Sequence, residues 1–295
     1  MFYRPFFTIG LLAGVAFTLP SQSKGADHPD LAPSVRDTIG TVPFDLLQGY
    51  CIVVHGSAGT LKDLNFFLDT GTSNSTFDSR IASKLNLRDE VAAALVVMGG
   101  RVQAESATLP SLEVGPMRLS SLHIVTADLT SFQKVLSVRI DAIIGMDVLG
   151  LSPFVIDYGA RVIHFGASPA LPFSLPLRLD QGLAVFDAEI DSRPVHLLLD
   201  TGASFVVLFK TDSQSGPEAN ATAVGTLVSS GAFERKQMRM RTLRVGPAEF
   251  RKESARMAPN PKPSQIDFDG VMSPSALGIS RLSVNVAEGV LEFSR

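Results

Sequence analysis

The chain repeats itself, and each copy carries the same short acidic signature at an equivalent place. One apolar run, Phe66-Phe67-Leu68, ends in Asp69-Thr70-Gly71; a second, Leu197-Leu198-Leu199, ends in Asp200-Thr201-Gly202. The two aspartates lie 131 residues apart. The flanks keep that offset, Gly100 mapping to Gly231 and Val114-Gly115-Pro116 to Val245-Gly246-Pro247. Beyond them the offset shortens by three residues, ordinary loop variation, and the match becomes dense. Asp141-Ala142-Ile143-Ile144 aligns with Asp269-Gly270-Val271-Met272, and Leu149-Gly150-Leu151-Ser152 with Leu277-Gly278-Ile279-Ser280. Self-similarity of this kind constrains architecture before any local signal does: the fold of one copy is the fold of the other.

Each copy is roughly 125 residues, a normal domain size. We place the lobes at residues 42–166 and 174–295, joined near Ala167-Ser168-Pro169-Ala170-Leu171-Pro172, with residues 24–41 as an irregular lead-in. Short β-branched or apolar runs dominate both copies, among them Cys51-Ile52-Val53-Val54, Leu122-His123-Ile124-Val125 and the alternating Leu183–Ile190. Gly, Asp and Ser separate them, as turns require. Helical signals are few, at Ser79 to Leu87 and Met146 to Leu149. The expected fold is all-β, two tandem similar lobes forming a pseudo-dimer.

Composition excludes several function classes. In 295 residues, 45% are apolar and 19% charged, which suits a buried core and not disorder. A net charge of −3 without a clustered Lys/Arg stripe gives no nucleic-acid footprint. One cysteine, Cys51, excludes a disulfide framework and reads as an inert buried thiol. Five scattered histidines without His-Glu-x-x-His spacing give no metal site, and no phosphate loop or dinucleotide fingerprint implies a cofactor. Gly56-Ser57-Ala58-Gly59 reads as a hairpin turn. At the N-terminus, Arg4 precedes 14 uncharged residues, Phe6 to Leu19, then Pro20 and the small-x-small Ser21-Gln22-Ser23. That is short for a membrane span and suits a signal peptide over residues 1–23. The expected location is secreted or periplasmic with no membrane span in the mature chain, the alternative being an uncleaved N-terminal anchor.

The triplets carry chemistry because of their residue types. A buried strand fixes the position of the acid that ends it. Gly71 and Gly202 permit a tight turn and close approach, while Thr70 and Thr201 can hydrogen-bond across to the opposite turn. Two carboxylates a few ångströms apart cannot both ionise easily, so one pKa rises and the other falls. The protonated partner can donate to a carbonyl while the ionised one takes a proton from water. The pair titrates as a unit. The residues after the triplets differ: a hydroxyl on Thr72 can favour ionised Asp69, whereas Ala203 offers nothing to Asp200, so the shared proton is expected on Asp200.

These triplets, the repeat and the segment Ile143-Ile144-Gly145 resemble the aspartic protease superfamily, in particular its retropepsin-like branch, over about residues 42 to 295. The resemblance implies Asp69 and Asp200 as the catalytic dyad, with Thr70, Gly71, Thr72, Thr201, Gly202 and Ala203 as its support. It also implies Gly-rich flaps at Met98, Gly99 and Gly100 and at Ser229, Ser230 and Gly231. The implied activity is exported aspartic endopeptidase, without metal or cofactor, on extended peptide or protein substrates, in a monomer with an internal pseudo-two-fold. Copy two departs from the pattern. Val271-Met272-Ser273-Pro274 stands where copy one has Ile143-Ile144-Gly145-Met146, so the support behind Asp200 is expected to be altered. Two rivals follow: a non-catalytic peptide-binding protein on the same scaffold, and lobes that pair with another chain.

Overall fold

The computed structural model describes residues 34–36, 38–97, 100–166, 170–209, 222–227, 231–258 and 267–295. The signal-peptide and lead-in expectations fall largely outside these residues. So do Met98, Gly99, Ser229 and Ser230.

The apolar run before each triplet becomes a strand buried on both faces. Leu61–Leu68 ends at Asp69 and Arg193–Leu199 ends at Asp200. In each lobe this strand belongs to one large sheet. Cys51–Ala58 pairs antiparallel with Leu61–Leu68, and Leu183–Ile190 with Arg193–Leu199. On the other side of each runs a short parallel strand, Ala142–Ile144 or Gly270–Met272, with Ile144 opposite Leu68 and Met272 opposite Leu199. These strands pair antiparallel in turn with Thr76–Asp78 and Val206–Phe209, the strands that leave the acidic turns. The two lobes thus have the same local topology, and the dense part of the repeat maps onto it. A third sheet of six strands, among the described residues, joins the lobes: Phe154–Asp157 of the first pairs antiparallel with Arg281–Asn285 of the second.

Burial follows the alternation of each strand. Phe66 and Leu68 point into a core that runs through both lobes and the joining sheet, with Phe186, Leu197, Leu199, Phe154 and Phe293. Phe67 points the other way, into a second cluster with Cys51, Val53 and Ile143. Its counterpart in the second lobe holds Leu198, Leu183, Val185 and Val271. Each strand that ends in an acid therefore reads as continuous apolar sequence because neither face meets water.

Helices form at Ser79–Lys84, capped by the Asp78 carboxylate, and at Met146–Leu149, as expected. A third, Thr130–Leu136, closes over the Phe67 cluster with Phe132 and Leu136. The expected turn at Gly56-Ser57-Ala58-Gly59 is displaced. Gly56 lies inside the strand, where a side chain would collide with the Phe66 ring, and the chain turns at Gly59 and Thr60. No helix among the described residues is long and apolar enough to cross a membrane.

Candidate functional site

The two acidic turns meet. Each begins with the same bond, the Asp69 N–H donating to Ile144 O and the Asp200 N–H to Met272 O, both at 3.0 Å. The turns then lock through their threonines. The Thr70 hydroxyl donates to Leu199 O (2.9 Å) and accepts from the Thr201 N–H (3.0 Å). Reciprocally, the Thr201 hydroxyl donates to Leu68 O (3.2 Å) and accepts from the Thr70 N–H (3.1 Å). Four buried bonds related by a pseudo-two-fold hold the carboxylates together, so neither lobe alone sets their position.

Within each turn the glycine N–H caps its own acid. Gly71 donates to Asp69 Oδ1 and Gly202 to Asp200 Oδ1, both at 2.8 Å. Gly71 also lies against the opposite acid: a Cβ there would sit 2.5 Å from Asp200 Cγ. Only glycine lets the turns approach this closely. Asp69 is 1% exposed and Asp200 0%.

This confinement separates the two acids. Burial pushes Asp69 up to about 6, against the hydrogen bonds from Gly71, Asp200 and Gly202 that favour its ionised form. Asp200 lies well above the ordinary carboxylate range, first through burial, then through the negative charge of Asp69 and the hydrogen bond to it. Of the two acids, the one held further towards its neutral form is Asp200. Its Oδ2 is buried and receives no hydrogen bond from the protein, so a proton there has an acceptor to find only in Asp69 or a ligand.

That direction agrees with the sequence-based expectation, but the reason given for it does not hold. The Thr72 hydroxyl donates to Asn74 O at 3.2 Å, not to Asp69. Thr72 is buried and serves the turn, not the carboxylate.

The support behind Asp200 is altered, as its sequence implies. In lobe one the Met146 N–H donates to Thr72 O at 2.9 Å, with Gly145 packed so closely that a Cβ would lie 2.8 Å from that oxygen. Pro274 has no N–H to offer the equivalent Ala203 O. The Ser273 hydroxyl donates to it instead, at 2.5 Å, and is itself supported by Ser275 Oγ and the Ala276 N–H. One donor replaces another and the turn keeps its anchor.

Two further acids hold the frame. The Asp141 carboxylate is fully buried, accepts the Asn65 N–H at 2.9 Å and pairs with Arg80 at 2.8 Å. Asp269 accepts the His196 N–H at 2.8 Å, the equivalent position in lobe two. Each fixes its strand four residues before the acid of the dyad. The repeat had aligned Asp141 with Asp269; an acid kept before both short strands is the signal that would have given them this role. His196 points outward to Asp187, at 2.7 Å. Burial pushes the Cys51 thiol up to about 12, which leaves it inert.

Of the expected flap residues, Gly100 and Gly231 are described. Each begins the return strand of a hairpin, Val97 pairing with Gly100 and Leu227 with Gly231. An open surface cleft of about 440 Å³, lined by Ser79, Gln103, Glu105, Thr126 and Asp128, contains neither acid of the dyad. Among the described residues no cluster of His, Cys, Asp or Glu has the arrangement of a metal site.

A family model described as "Aspartyl protease" matches residues 53–148 and again 186–280. Among solved structures, basic 7S globulin from soybean is similar over 88% of this chain and 95% of its own, at 12% identity and a TM-score of 0.49. A retropepsin-like aspartic protease from Rickettsia conorii is similar over 41% of this chain and 89% of its own, at 18% identity and a TM-score of 0.31. No curated protein sequence matches the chain.

Proposed function

The chain belongs to the aspartyl protease family, and from that premise we propose that it is an endopeptidase whose Asp69 and Asp200 share one proton and activate a water. The observation that carries the proposal is the reciprocal threonine lock, which brings the two acids of one chain into one buried site. In this reading Asp69, the more acidic of the two, takes the proton of the attacking water as Asp200 donates to the scissile carbonyl. The proton bookkeeping closes within the dyad. No cofactor enters.

An extended peptide would lie between the dyad and the two hairpins, bound largely through main-chain hydrogen bonds. We propose a periplasmic or extracellular site of action, on the support of the Arg4 and Phe6 to Leu19 pattern and the lone cysteine. The test is cleavage of a diverse peptide library across pH, with and without pepstatin, by wild type, Asp69→Asn and Asp200→Asn. Loss in both variants is expected. A wild type that binds peptides and cleaves none at any pH would replace this reading by the non-catalytic one, and a dimeric mass with activity that dilutes away would replace the intramolecular dyad.

A further inference from the structure

Among the described residues, Arg256 stands on the dyad's face of lobe two without a carboxylate partner. The strand Ser254–Ala258 runs parallel to Val206–Phe209, with Arg256 in register with Val207. Val207 belongs to the cluster of Leu183, Leu198, Ala203 and Val271. Leu198 is two residues before Asp200 on the same strand, so that cluster marks the face from which the Asp200 carboxylate departs. Arg256 is therefore on this face. Its guanidinium lies 3.3 Å above the ring of Phe205, which ends the turn Asp200-Thr201-Gly202-Ala203-Ser204-Phe205 and packs on the same cluster.

Three other arginines of this lobe meet acids: Arg244 pairs with Glu189, Arg251 with Glu249 and Arg281 with Asp157. Arg256 is half-buried, has no ion pair among the described residues, and is lowered from its ordinary pKa by burial alone. A partly desolvated, ring-stacked guanidinium presents its fork in a fixed plane, which suits a carboxylate. In lobe one the position in register with Thr76, the equivalent of Val207, is Val125. The charge breaks the pseudo-symmetry of the site and would impose one direction on a bound peptide.

We propose that Arg256, stacked on Phe205 beside the Asp200 turn, is a carboxylate-binding subsite that selects peptides carrying an acidic group on the lobe-two side of the cleaved bond. This inference rests on the reading of the site as peptide-binding. The carboxylate comes either from an Asp or Glu side chain or from the substrate's C-terminus.

The experiment uses peptides with Glu or Gln at each of four positions on either side of the cleaved bond, each made as the C-terminal acid and the C-terminal amide. Both kcat/KM and Kd, by fluorescence anisotropy, are measured for wild type, Arg256→Met and Arg256→Lys, with melting curves to verify folding. Wild type is expected to prefer Glu over Gln, or acid over amide, by about tenfold to a hundredfold at positions on one side only. The preference should weaken as ionic strength rises, collapse in Arg256→Met and survive in part in Arg256→Lys. Preference for internal Glu identifies a side-chain carboxylate; preference for the free acid alone identifies the chain end. Equal treatment of Glu and Gln and of acid and amide by wild type overturns the subsite, as does an undiminished ratio in folded Arg256→Met. If no peptide is cleaved, the endopeptidase reading fails, and the Kd ratios still decide the subsite in the same way. If Arg256→Met does not fold, the wild-type ratio and its salt dependence decide it.

Discussion

Ser273→Ala tests the anchor behind Asp200 directly. The Ser273 hydroxyl is the donor to Ala203 O, and Ala203 and Ser273 are both fully buried. Removing it leaves a buried carbonyl without a partner, at a cost of about 1–3 kcal/mol. For a chain of this size each kcal/mol moves the melting temperature by roughly 2–4 °C, so a fall of about 2–12 °C is expected. The carbonyl lies in the Asp200 turn, so kcat should drop more than KM rises. The double variant Ser273→Gly/Pro274→Met supplies a backbone N–H where lobe one has that of Met146, whose bond to Thr72 O is 2.9 Å. Pro274 already has helical φ and ψ of −60° and −41°, so methionine fits its backbone. Differential scanning fluorimetry and peptide cleavage on wild type, Ser273→Ala, Ser273→Gly and the double variant complete the test. The double variant should recover most of what Ser273→Gly loses. A Ser273→Ala protein that melts and cleaves like wild type, or a double variant no better than Ser273→Gly, refutes the donor exchange.

Three other outcomes follow from the same geometry. Both acids of the dyad are raised by burial, so the stability they allow is fully present below the unfolded carboxylate pKa of about 4 and is lost as pH rises through the folded values, about 6 for Asp69 and higher for Asp200. Asp69→Asn and Asp200→Asn should accordingly melt above wild type at neutral pH, with the gap closing near pH 4; superimposable melting-versus-pH curves would contradict this. Activity needs one proton on the pair, so kcat/KM should climb as pH rises through about 6, where Asp69 ionises, and decline only at higher pH as Asp200 follows. A measured optimum at pH 3–4 would be incompatible with that order. Thr70→Val removes the donor to Leu199 O and the acceptor of the Thr201 N–H, each orphan costing about 1–3 kcal/mol. Thr201→Val removes the other two bonds, the donor to Leu68 O and the acceptor of the Thr70 N–H, so in urea titrations it should cost about as much as Thr70→Val; a Thr201→Val protein as stable as wild type would argue that the lock is not reciprocal.

The parts of this architecture that were legible in the sequence are those where one residue type has one physical use. Three apolar residues before an acid gave the doubly buried strands. The repeat gave the meeting of Asp69 with Asp200, because equivalent turns in a pseudo-dimer lie about the same axis. The helix Thr130–Leu136 was not legible: its apolar residues are too few for a clear period, and its stability comes from closing over Phe67, Cys51 and Ile143, contacts far away in sequence. Thr72 was misread because a hydroxyl beside an acid has several acceptors within reach, and the one it takes here is the carbonyl of Asn74. Arg256 could not be placed at all without strand register, since more than fifty residues separate it from Phe205.

Ser273 and Pro274 are two departures from copy one that have to be weighed together. Taken singly, each is damaging. A serine at the position of Gly145 would press its Cβ to 2.8 Å from the carbonyl it should help, because the Met146 N–H already draws the strand in to that oxygen. A proline at the position of Met146 would orphan the same carbonyl. Taken together they cancel. Proline removes the contact that makes the site crowded, and serine fills the space with a hydroxyl that reaches Ala203 O. What each lobe must preserve behind its acid is thus one donor to one buried carbonyl, and the residues that supply it are free to change only as a pair.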